Sequence, residues 1–326
     1  MFTIAIDSTT TGKNVSGWER STKNLFDMLN RLEQSEFELI LFSRVRLKLK
    51  VLIPFYEIYD LLFIKKIRKK YEITHYNTIP PKKSGGYISW CVHDNIIVGG
   101  NNEYRNRFGF FWEFMAKVMK NKIDVIFTFT DNVKNDLQLL GYKNVVVVTP
   151  IVKRIEAREI KPELMVGVDK PFIVIVGSIE RRKNPDIAAR LAMKAGYLAV
   201  VVGRYKDISY EELPAGTIVI DNASDENLSW LYKNCEGLIS ASSYEGVNMP
   251  IIEASLEGKP AVYSDIPTHL ELYGEENSFN LNSEDSYHKI KSLIERKSII
   301  NCNKFTDEKT IAESYMKVWS SLIKKN

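Results

Sequence analysis

Cysteine is scarce in this sequence, and long apolar runs are missing. The 326 residues include three cysteines, Cys91, Cys235 and Cys302, and none of their spacings fits a zinc site or a disulfide framework. The longest apolar stretch, residues 51–64, is interrupted by a proline and two acidic residues and is too short to span a bilayer. No secretory signal is visible ahead of the strand-like run at residues 2–7. We therefore expect a protein of the reducing cytoplasm.

The composition is typical of a soluble globular protein, with 44% hydrophobic and 26% charged residues. The length suffices for two domains, each with its own core. Short apolar runs alternate with helical patterns in two series, which predicts α/β units built on parallel, doubly wound sheets. The predicted strands are residues 2–7, 37–42, 87–92, 125–129 and 145–148 in the first series and residues 172–176, 198–202, 217–220, 238–241 and 261–264 in the second.

The two series predict two Rossmann-like domains that face a cleft. The N-terminal domain is expected over residues 1–150 and the C-terminal domain over residues 171–305. Residues 151–170, which are polar and contain a proline, are interpreted as the linker. The last helix, within residues 306–326, is expected to pack back on the N-terminal domain.

The net charge of +4 is unevenly distributed. Residues 1–160 carry 25 basic and 17 acidic residues, and the window 44–83 alone holds 11 basic and 3 acidic ones, interleaved with apolar residues. A basic, apolar helix is typical of a peripheral element at an anionic membrane surface. An ordinary amphipathic helix with a solvated basic face is the alternative, and nucleic acid is a less favoured third partner.

Two features of the first half lie where open α/β sheets bind ligands, at the carboxyl ends of strands. The loop after the first strand contains Gly12 and Gly17, although it lacks the full pattern of a phosphate-binding P-loop. A helix is predicted directly after this loop, from Trp18 to Leu32. His93 closes the apolar run 87–92, so the pattern places it at the same sheet edge, as either a structural or a functional histidine.

Three consecutive cations, Arg181, Arg182 and Lys183, follow a predicted buried strand and precede a helix. Cations at a helix start are electrostatically unfavourable unless an anion is bound there. Charge-assisted contacts from such a turn suit a diphosphate. A solvated basic turn is the simpler alternative.

The stretch from Ser242 to Ala254 contains two glutamates eight positions apart, Glu245 and Glu253. A helix is expected to begin at Pro250, because proline is favoured at the first helical position. Glu245 then lies in the loop, while Glu253 lies at the edge of an apolar helix stripe and needs a partner there. Gly246 and the amides at the helix start would let an anionic ligand approach the main chain.

In the second half, four segments resemble the nucleotide-sugar-binding domain of the retaining GT-B glycosyltransferases of family 4, also called glycosyl transferases group 1. They occur in the family's order over roughly 100 residues. The segments are GSIERRKN at 177–184, DENLSWLY at 225–232, the Glu245 to Glu253 pair in its Glu-Gly context, and SDIP at 264–267 leading to Glu271. The first half is similar more loosely, through its glycine-bearing loop, His93 with Asp94, and TDNVK at 130–134.

The resemblance implies a GT-B fold and a retaining hexosyltransferase whose donor substrate is a nucleoside diphosphate sugar, with no further cofactor. It assigns Glu245 and His93 to the transferred sugar, Arg182 and Lys183 to the diphosphate, and Glu253 to the ribose. It also places further donor contacts in the two glycine-bearing loops, at Gly12, Gly17, Ser242, Gly246, Asn248 and Met249. The acceptor, held by the first domain, is left open and includes glycans and lipid-linked molecules.

No Asp-x-Asp pair occurs in the sequence, so a metal-bridged diphosphate is unsupported and the protein's own cations are expected in its place. Asn248 stands where the family usually has glycine. Two other functions remain open: glycosyl transfer to modified DNA, and sugar-nucleotide binding without turnover.

Overall fold

The computed structural model describes residues 2–8, 17–31, 37–42, 71–77, 86–94, 109–283 and 285–324. The chain forms two compact units. Unit 1 comprises Met1–Ile151 and Asp307–Asn326, and unit 2 comprises Val152–Thr306. Most of the basic window 44–83, and Gly12 in the first loop, lie outside the described residues.

Unit 1 is built on a six-stranded parallel sheet with the strand order β2-β1-β3-β4-β5-β6. The central strands are buried, as expected for a parallel sheet whose faces are covered by helices. The strands are β1 (Phe2–Asp7), β2 (Phe37–Phe42), β3 (Ile73–Tyr76), β4 (Tyr87–Cys91), β5 (Val125–Thr128) and β6 (Val145–Val147). The helices of the first segment are α1 (Gly17–Arg31), α2 (Gly109–Met119) and α3 (Asp131–Leu139).

Strand β3 was not predicted, because its four residues do not form an apolar run. Thr74 and His75 are polar, yet both are completely buried. A 2.8 Å hydrogen bond between His75 Nδ1 and Ser89 Oγ on the neighbouring strand β4 fixes the position of the His75 ring. A buried polar pair thus occupies the centre of this sheet.

The C-terminal helix α10 (Glu308–Ile323) belongs to unit 1. Trp319 is fully buried and donates a 3.0 Å hydrogen bond from Nε1 to Ser89 Oγ. Its ring also contacts His75 edge-on, with centroids 5.4 Å apart. At the surface, Arg31 of α1 pairs with Glu308. The helix therefore completes the core that strands β3 to β5 begin.

Unit 2 contains a second six-stranded parallel sheet, with the order β12-β11-β10-β7-β8-β9. The strands are β7 (Phe172–Val176), β8 (Leu198–Val202), β9 (Ile218–Ile220), β10 (Gly237–Ser240), β11 (Ala261–Ser264) and β12 (Ser278–Phe279). The helices are α4 (Pro185–Lys194), α5 (Asp225–Asn234), α6 (Met249–Leu256), α7 (Pro267–Tyr273), α8 (Ser286–Glu295) and α9 (Asn303–Thr306).

The segment interpreted as a linker, residues 151–170, is counted with unit 2 from Val152 onwards and lies along α5. The Ile160 amide donates to Glu226 O at 3.2 Å, and Asn227 Nδ2 donates to Ile160 O at 3.0 Å. Lys233 on the same helix pairs with Glu159 at 2.8 Å. Backbone and side-chain bonds thus fix this segment to unit 2.

The predicted α/β class with two parallel sheets is confirmed. One predicted site residue lies in a different element from the one expected. Gly17 was expected in the loop after β1, but it is the first residue of α1. Glycine is tolerated at a helix terminus, so it does not by itself mark the end of the loop. Among the described residues, no helix has both the length and the apolar character needed to cross a membrane.

Candidate functional site

Two glycines bring adjacent loops together at the carboxyl edge of the unit 2 sheet. Gly177 follows β7 and Gly203 follows β8, and both have positive φ angles, 145° and 154°. A Cβ atom on Gly203 would collide with the carbonyl oxygen of Gly177. A Cβ atom on Gly177 would lie 2.9 Å from Cδ of Lys183. Only glycine allows these loops and the Lys183 side chain to pack so closely.

The three cations form a single 3-10 turn, Arg181–Lys183, which Asn184 ends in the left-handed conformation with φ 44°. The Asn184 side chain then holds the neighbouring loop: its Nδ2 donates to Ala241 O at 2.9 Å and to Ser243 Oγ at 2.7 Å. The Ser243 amide donates back to Arg182 O at 2.8 Å. The cation turn and the Glu245 loop are therefore one connected structure.

Glu245 is buried and forms salt bridges with two cations of that turn, Arg182 and Lys183. Lys183 Nζ lies 2.6 Å from its Oε1, and Arg182 Nη1 lies 3.0 Å from its Oε2. Ser242 Oγ donates to Oε1 at 2.8 Å. Burial alone would raise the pKa of Glu245, but Lys183 and Arg182 outweigh it and hold the pKa well below the usual range. The carboxylate is therefore ionised, and it pre-positions two cations.

A second carboxylate, the partly buried Glu180, lies on the other side of Arg182. Glu180 accepts from Arg182 Nη2 at 2.8 Å and from Ser178 Oγ at 2.9 Å through Oε1, and its Oε2 accepts from Lys206 Nζ at 2.9 Å. Burial opposes its ionisation, but Arg182 and Lys206 lower its pKa on balance. The Arg182 guanidinium is thus held between two carboxylates, which fixes its orientation.

Side chains of α7 form hydrogen bonds with the backbone of the loop that contains Glu245. Thr268 Oγ1 donates to Glu245 O at 2.7 Å, and the Tyr273 hydroxyl donates to Val247 O. Asn248 has the left-handed conformation, with φ 68°, directly before α6. That helix begins at Met249, one residue earlier than predicted, and Pro250 lies in its first turn.

The Asn248 side chain is buried in a polar cluster. Its Nδ2 lies 2.7 Å from Ser240 Oγ and 2.9 Å from His269 Nε2. On the far side of the ring, His269 Nδ1 lies 2.9 Å from Ser264 O. Burial lowers the pKa of His269 to about 4, although the bond to Ser264 and the charge on Glu245 oppose the shift. The ring is therefore neutral at neutral pH.

Glu253 lies in α6 and is buried, as its place beside the apolar stripe suggested. One of its partners is the hydroxyl of Tyr232 in α5, which donates to Oε2 at 2.8 Å. This bond comes from a neutral hydroxyl, whereas Glu245 is paired with the cations of Lys183 and Arg182. The two carboxylates can therefore serve different groups of a ligand.

A pocket opens between the cation turn and the ends of β7 and β10. Its polar lining includes Gly177, Ser178, Lys183, Ser240 and Ser242, and its apolar lining includes Ile175, Val201 and Ile239. The pocket thus presents an ammonium group, two hydroxyl groups of β10 and its loop, and backbone of a glycine turn. These groups can contact one edge of an anionic, hydroxylated ligand, while the cavity itself, about 10 Å³, has room for about one water molecule.

The structure brings together four of the predicted site residues, Arg182, Lys183, Ser242 and Glu245, through direct contacts. Gly246, Asn248 and Met249 follow in the same loop and helix start, and Glu253 lies one turn further along α6. His93 and Gly17 belong to unit 1, and Gly12 lies outside the described residues. Their predicted contacts with a donor remain predictions.

His93 lies two residues beyond the end of β4, where the sequence placed it. It is buried, and its ring meets Phe129 edge-on with centroids 4.9 Å apart. Burial lowers its pKa to about 4. It is a neutral histidine at neutral pH.

Several residues of this region were not assigned from the sequence: Asn184, Lys206, Tyr232, Ser264, Thr268, His269 and Tyr273. Their side chains act through contacts between segments far apart in sequence, which no local spacing reveals. Of these residues, Tyr232 could most easily have been predicted, because a buried Glu253 requires a hydrogen-bond partner. Among the residues that the structure describes, no group of His, Cys, Asp and Glu has the arrangement of a metal site.

In comparison with known proteins, residues 156–309, slightly less than half of the chain, match the model of the family described as glycosyl transferases group 1. No curated protein sequence matches the chain significantly. Solved structures do match over nearly the whole chain. The sucrose-phosphate synthase of Thermosynechococcus elongatus is 15% identical with a TM-score of 0.64, and the match covers 100% of this chain and 97% of the other.

Two further structures give similar values. The Anabaena protein HepE, solved in complex with UDP and glucose, is 14% identical with a TM-score of 0.62 and coverages of 99% and 100%. WaaG, a glycosyltransferase involved in lipopolysaccharide biosynthesis, is 13% identical with a TM-score of 0.64 and coverages of 99% and 98%. The chain therefore has the GT-B fold, and most of its second unit is similar to the glycosyl transferases group 1 domain.

Proposed function

We propose that this protein is a retaining glycosyltransferase of family 4 that transfers a hexose from a nucleoside diphosphate sugar to an acceptor. The observation that supports this most directly is the pairing of Arg182 and Lys183 with the buried, ionised Glu245 beside a glycine turn. The group provides cations for a diphosphate and a carboxylate for sugar hydroxyls within one connected structure. No other group of described residues combines these features at the end of a parallel sheet.

In the proposed reaction the bond between the anomeric carbon and the diphosphate oxygen breaks, and negative charge develops on the leaving nucleoside diphosphate. Arg182 and Lys183 stabilise that charge, and therefore favour the transition state over the bound donor. These protein cations take the place of a metal ion. The acceptor hydroxyl attacks on the face from which the diphosphate leaves and gives its proton to the departing diphosphate oxygen, so the anomeric configuration is retained.

Glu245 is ionised before the donor binds, since its pKa is low. Its two oxygens can therefore accept hydrogen bonds from the sugar while they still hold the two cations. Glu253 is proposed to accept from the ribose hydroxyls, and His93 to face the transferred sugar. Gly246, Met249 and the first turn of α6 contribute backbone amides.

The complex of HepE with UDP and glucose, and a pneumococcal O-GlcNAc transferase solved with UDP and GlcNAc, support a nucleotide sugar as the donor class. Both matches are below 25% identity, so they identify neither base nor sugar for this protein. We propose a cytoplasmic location for the enzyme, peripheral to a membrane if residues 44–83 bind anionic lipid.

A thermal-shift screen tests the donor class. UDP, GDP and ADP are compared with their glucose derivatives and with free glucose, because a ligand that binds only the folded state raises the melting temperature. We expect one nucleoside diphosphate and its sugar to raise it, and glucose alone not to. If none of the nucleotides does so, the proposed function is wrong.

Turnover separates an enzyme from a binding protein. With the nucleotide sugar from the screen, we expect slow release of the nucleoside diphosphate, and Glu245→Ala should abolish this release while nucleotide binding is retained. Binding without any release by the unsubstituted protein would favour a sugar-nucleotide-binding protein instead. The anomeric configuration of the transferred sugar, read by NMR, decides whether the reaction is retaining.

A further inference from the structure

A chain of hydrogen bonds leads from His269 to Glu245 through three other side chains. Asn248 Nδ2 lies within hydrogen-bond distance of both His269 Nε2 and Ser240 Oγ. Ser240 Oγ lies 3.3 Å from Ser242 Oγ, which donates to Glu245 Oε1 at 2.8 Å. Which group donates and which accepts in each bond is fixed by the groups at the two ends, the Ser264 carbonyl beside His269 and the Glu245 carboxylate.

At the histidine end, the carbonyl oxygen of Ser264 can only accept a hydrogen bond, and it lies 2.9 Å from His269 Nδ1. The ring hydrogen is therefore on Nδ1, and Nε2 carries the lone pair. Burial keeps the ring neutral, so a second ring hydrogen is not present at neutral pH. Nε2 must accept, and of the two ends of the Asn248 amide only the NH2 group can donate to it.

The tautomer of His269 thus fixes the orientation of the Asn248 amide. The second hydrogen of that NH2 group points to Ser240 Oγ, which accepts it and is left with its own hydrogen to donate to Ser242 Oγ. Ser242 Oγ accepts it and donates to Glu245, an ionised carboxylate that can only accept. Three bonds of the chain, those from Asn248 to Ser240, from Ser240 to Ser242 and from Ser242 to Glu245, are then directed towards Glu245, while Asn248 donates in the opposite direction to His269 Nε2.

We propose that His269 and Asn248 are positioning residues, which orient Ser242 towards Glu245 and thereby hold that carboxylate in the geometry for the donor sugar. The proposal rests on the assignment of Glu245 to the sugar in the proposed function. It gives Asn248 a specific role: its backbone has the left-handed conformation that glycine also adopts, while its side chain supplies a link that glycine lacks. The Asn248 side chain is then a part of the sugar site that does not itself touch the sugar.

Two substitutions at position 269 separate the two ends of the ring. In His269→Gln, the side-chain carbonyl can replace Nε2 as the acceptor for Asn248. In His269→Asn, the shorter amide can still donate to Ser264 O but does not reach Asn248. We expect His269→Asn to weaken UDP-glucose binding by about tenfold while UDP binding is unchanged, because one hydrogen bond to a charged group is disturbed. His269→Gln should retain most of the UDP-glucose affinity.

Asn248→Gly is the second, independent variant. It preserves the backbone conformation and removes the link, so it should show the same selective loss of UDP-glucose affinity. Combined with His269→Asn it should produce no further loss, because both changes interrupt one chain. Calorimetry with UDP and UDP-glucose is carried out on the unsubstituted protein, the three single variants and the double variant, and their melting temperatures show that they are folded.

The outcomes separate this proposal from the proposed function. If the unsubstituted protein binds none of the nucleoside diphosphates and sugars of the thermal-shift screen, UDP and UDP-glucose included, the proposed function fails, and the proposal that rests on it fails too. If it binds both, but His269→Asn and His269→Gln alter the ratio of the two affinities equally or not at all, the positioning role is wrong while the proposed function stands.

A ligand-free measurement tests the direction of the chain itself. Nitrogen NMR of the imidazole rings, with the His269 signal identified by its loss in His269→Gln, should show the neutral ring protonated at Nδ1. In Asn248→Asp the new carboxylate can only accept, so the His269 ring should become doubly protonated at neutral pH. A ring protonated at Nε2 in the unsubstituted protein would overturn the proposed direction.

Discussion

Lys183 Nζ lies 2.6 Å from Glu245 Oε1, although the two residues are 62 positions apart in the sequence. Both side chains are largely buried, with exposed fractions of 17% and 8%. An ammonium group held in this way does not need to be ordered again when an anionic ligand binds. The pair therefore prepares the cation turn for its proposed ligand, at the cost of taking two charges out of water.

The first prediction concerns the stability of this pair. Lys183→Met and Glu245→Gln should each lower the free energy of unfolding of unit 2 by about 2 kcal/mol, because each removes one partner of a buried charge, although Arg182 still lies beside Glu245 in the Lys183 variant. The double variant should lose clearly less than the sum of the two, since neither charge then remains. Urea denaturation of the unsubstituted protein, the two single variants and the double variant gives the four free energies of this double-mutant cycle. Additive losses would mean that the contact contributes no coupling energy.

The second prediction separates the diphosphate from the nucleoside. Arg182→Ala and Lys183→Ala should each weaken UDP binding by roughly tenfold or more, the value of a charge-assisted hydrogen bond, and should leave uridine binding unchanged. Arg181→Ala is the matched control from the same turn, because Arg181 is exposed and pairs with Glu212 at 2.9 Å. Equal losses for UDP and uridine, or a comparable loss in the Arg181 variant, would contradict the assignment.

The third prediction concerns Glu253 and the ribose. Glu253→Ala should weaken uridine and UDP by similar factors, and should abolish the preference of the protein for UDP over 2′-deoxy-UDP. Glu257→Ala, one turn later on the same chain segment, is the control. Tyr232→Phe removes a hydroxyl that donates to Glu253 at 2.8 Å, so we expect a smaller loss in the same direction. Calorimetry with the three ligands measures these effects, and an unchanged preference in Glu253→Ala would remove Glu253 from the ribose site.

The fourth prediction is a loss of stability in mild acid. Burial lowers the pKa of His75 to about 3 and the pKa values of His93 and His269 to about 4, against 6.5 for an exposed histidine. Below pH 6.5 the unfolded chain therefore binds protons that the folded chain does not. Stability is fully present above pH 6.5 and falls as the pH decreases towards 4, by up to about 1.4 kcal/mol per pH unit for each of these histidines.

This pH dependence can be assigned to the two units. His75→Gln should reduce the slope for unit 1 only, and His269→Gln the slope for unit 2 only, in thermal unfolding followed between pH 7 and pH 4.5. Slopes that neither substitution alters would show that these rings are protonated in the folded protein.

Most strands of both sheets could be predicted from the sequence, because buried parallel strands are short continuous apolar runs. The strands β3 and β12 could not. Strand β3 contains Thr74 and His75, whose burial depends on Ser89 and on aromatic residues of α10, and strand β12 has only two residues. Such strands are defined by partners distant in the sequence rather than by their own composition.

The candidate site shows the same limit. The residue types at positions 182, 183, 245 and 253 were sufficient to predict a cation turn and two carboxylates with different surroundings. The sequence did not reveal that Glu245 and Lys183 pair directly, nor that Asn248 bonds to His269 on α7. These contacts depend on the packing of helix and loop ends at one sheet edge, which local spacing does not encode.

The placement of Trp319 bears on the order in which the protein is made. Unit 2 is one continuous segment, Val152–Thr306, whereas unit 1 requires α10, whose Trp319 is buried against β3 and β4. During synthesis from the N-terminus, all of unit 2 leaves the ribosome before the last part of unit 1 does. Unit 1 is therefore completed only after unit 2 has been made, and the part of its core that Trp319 covers stays open in the nascent chain until α10 has emerged.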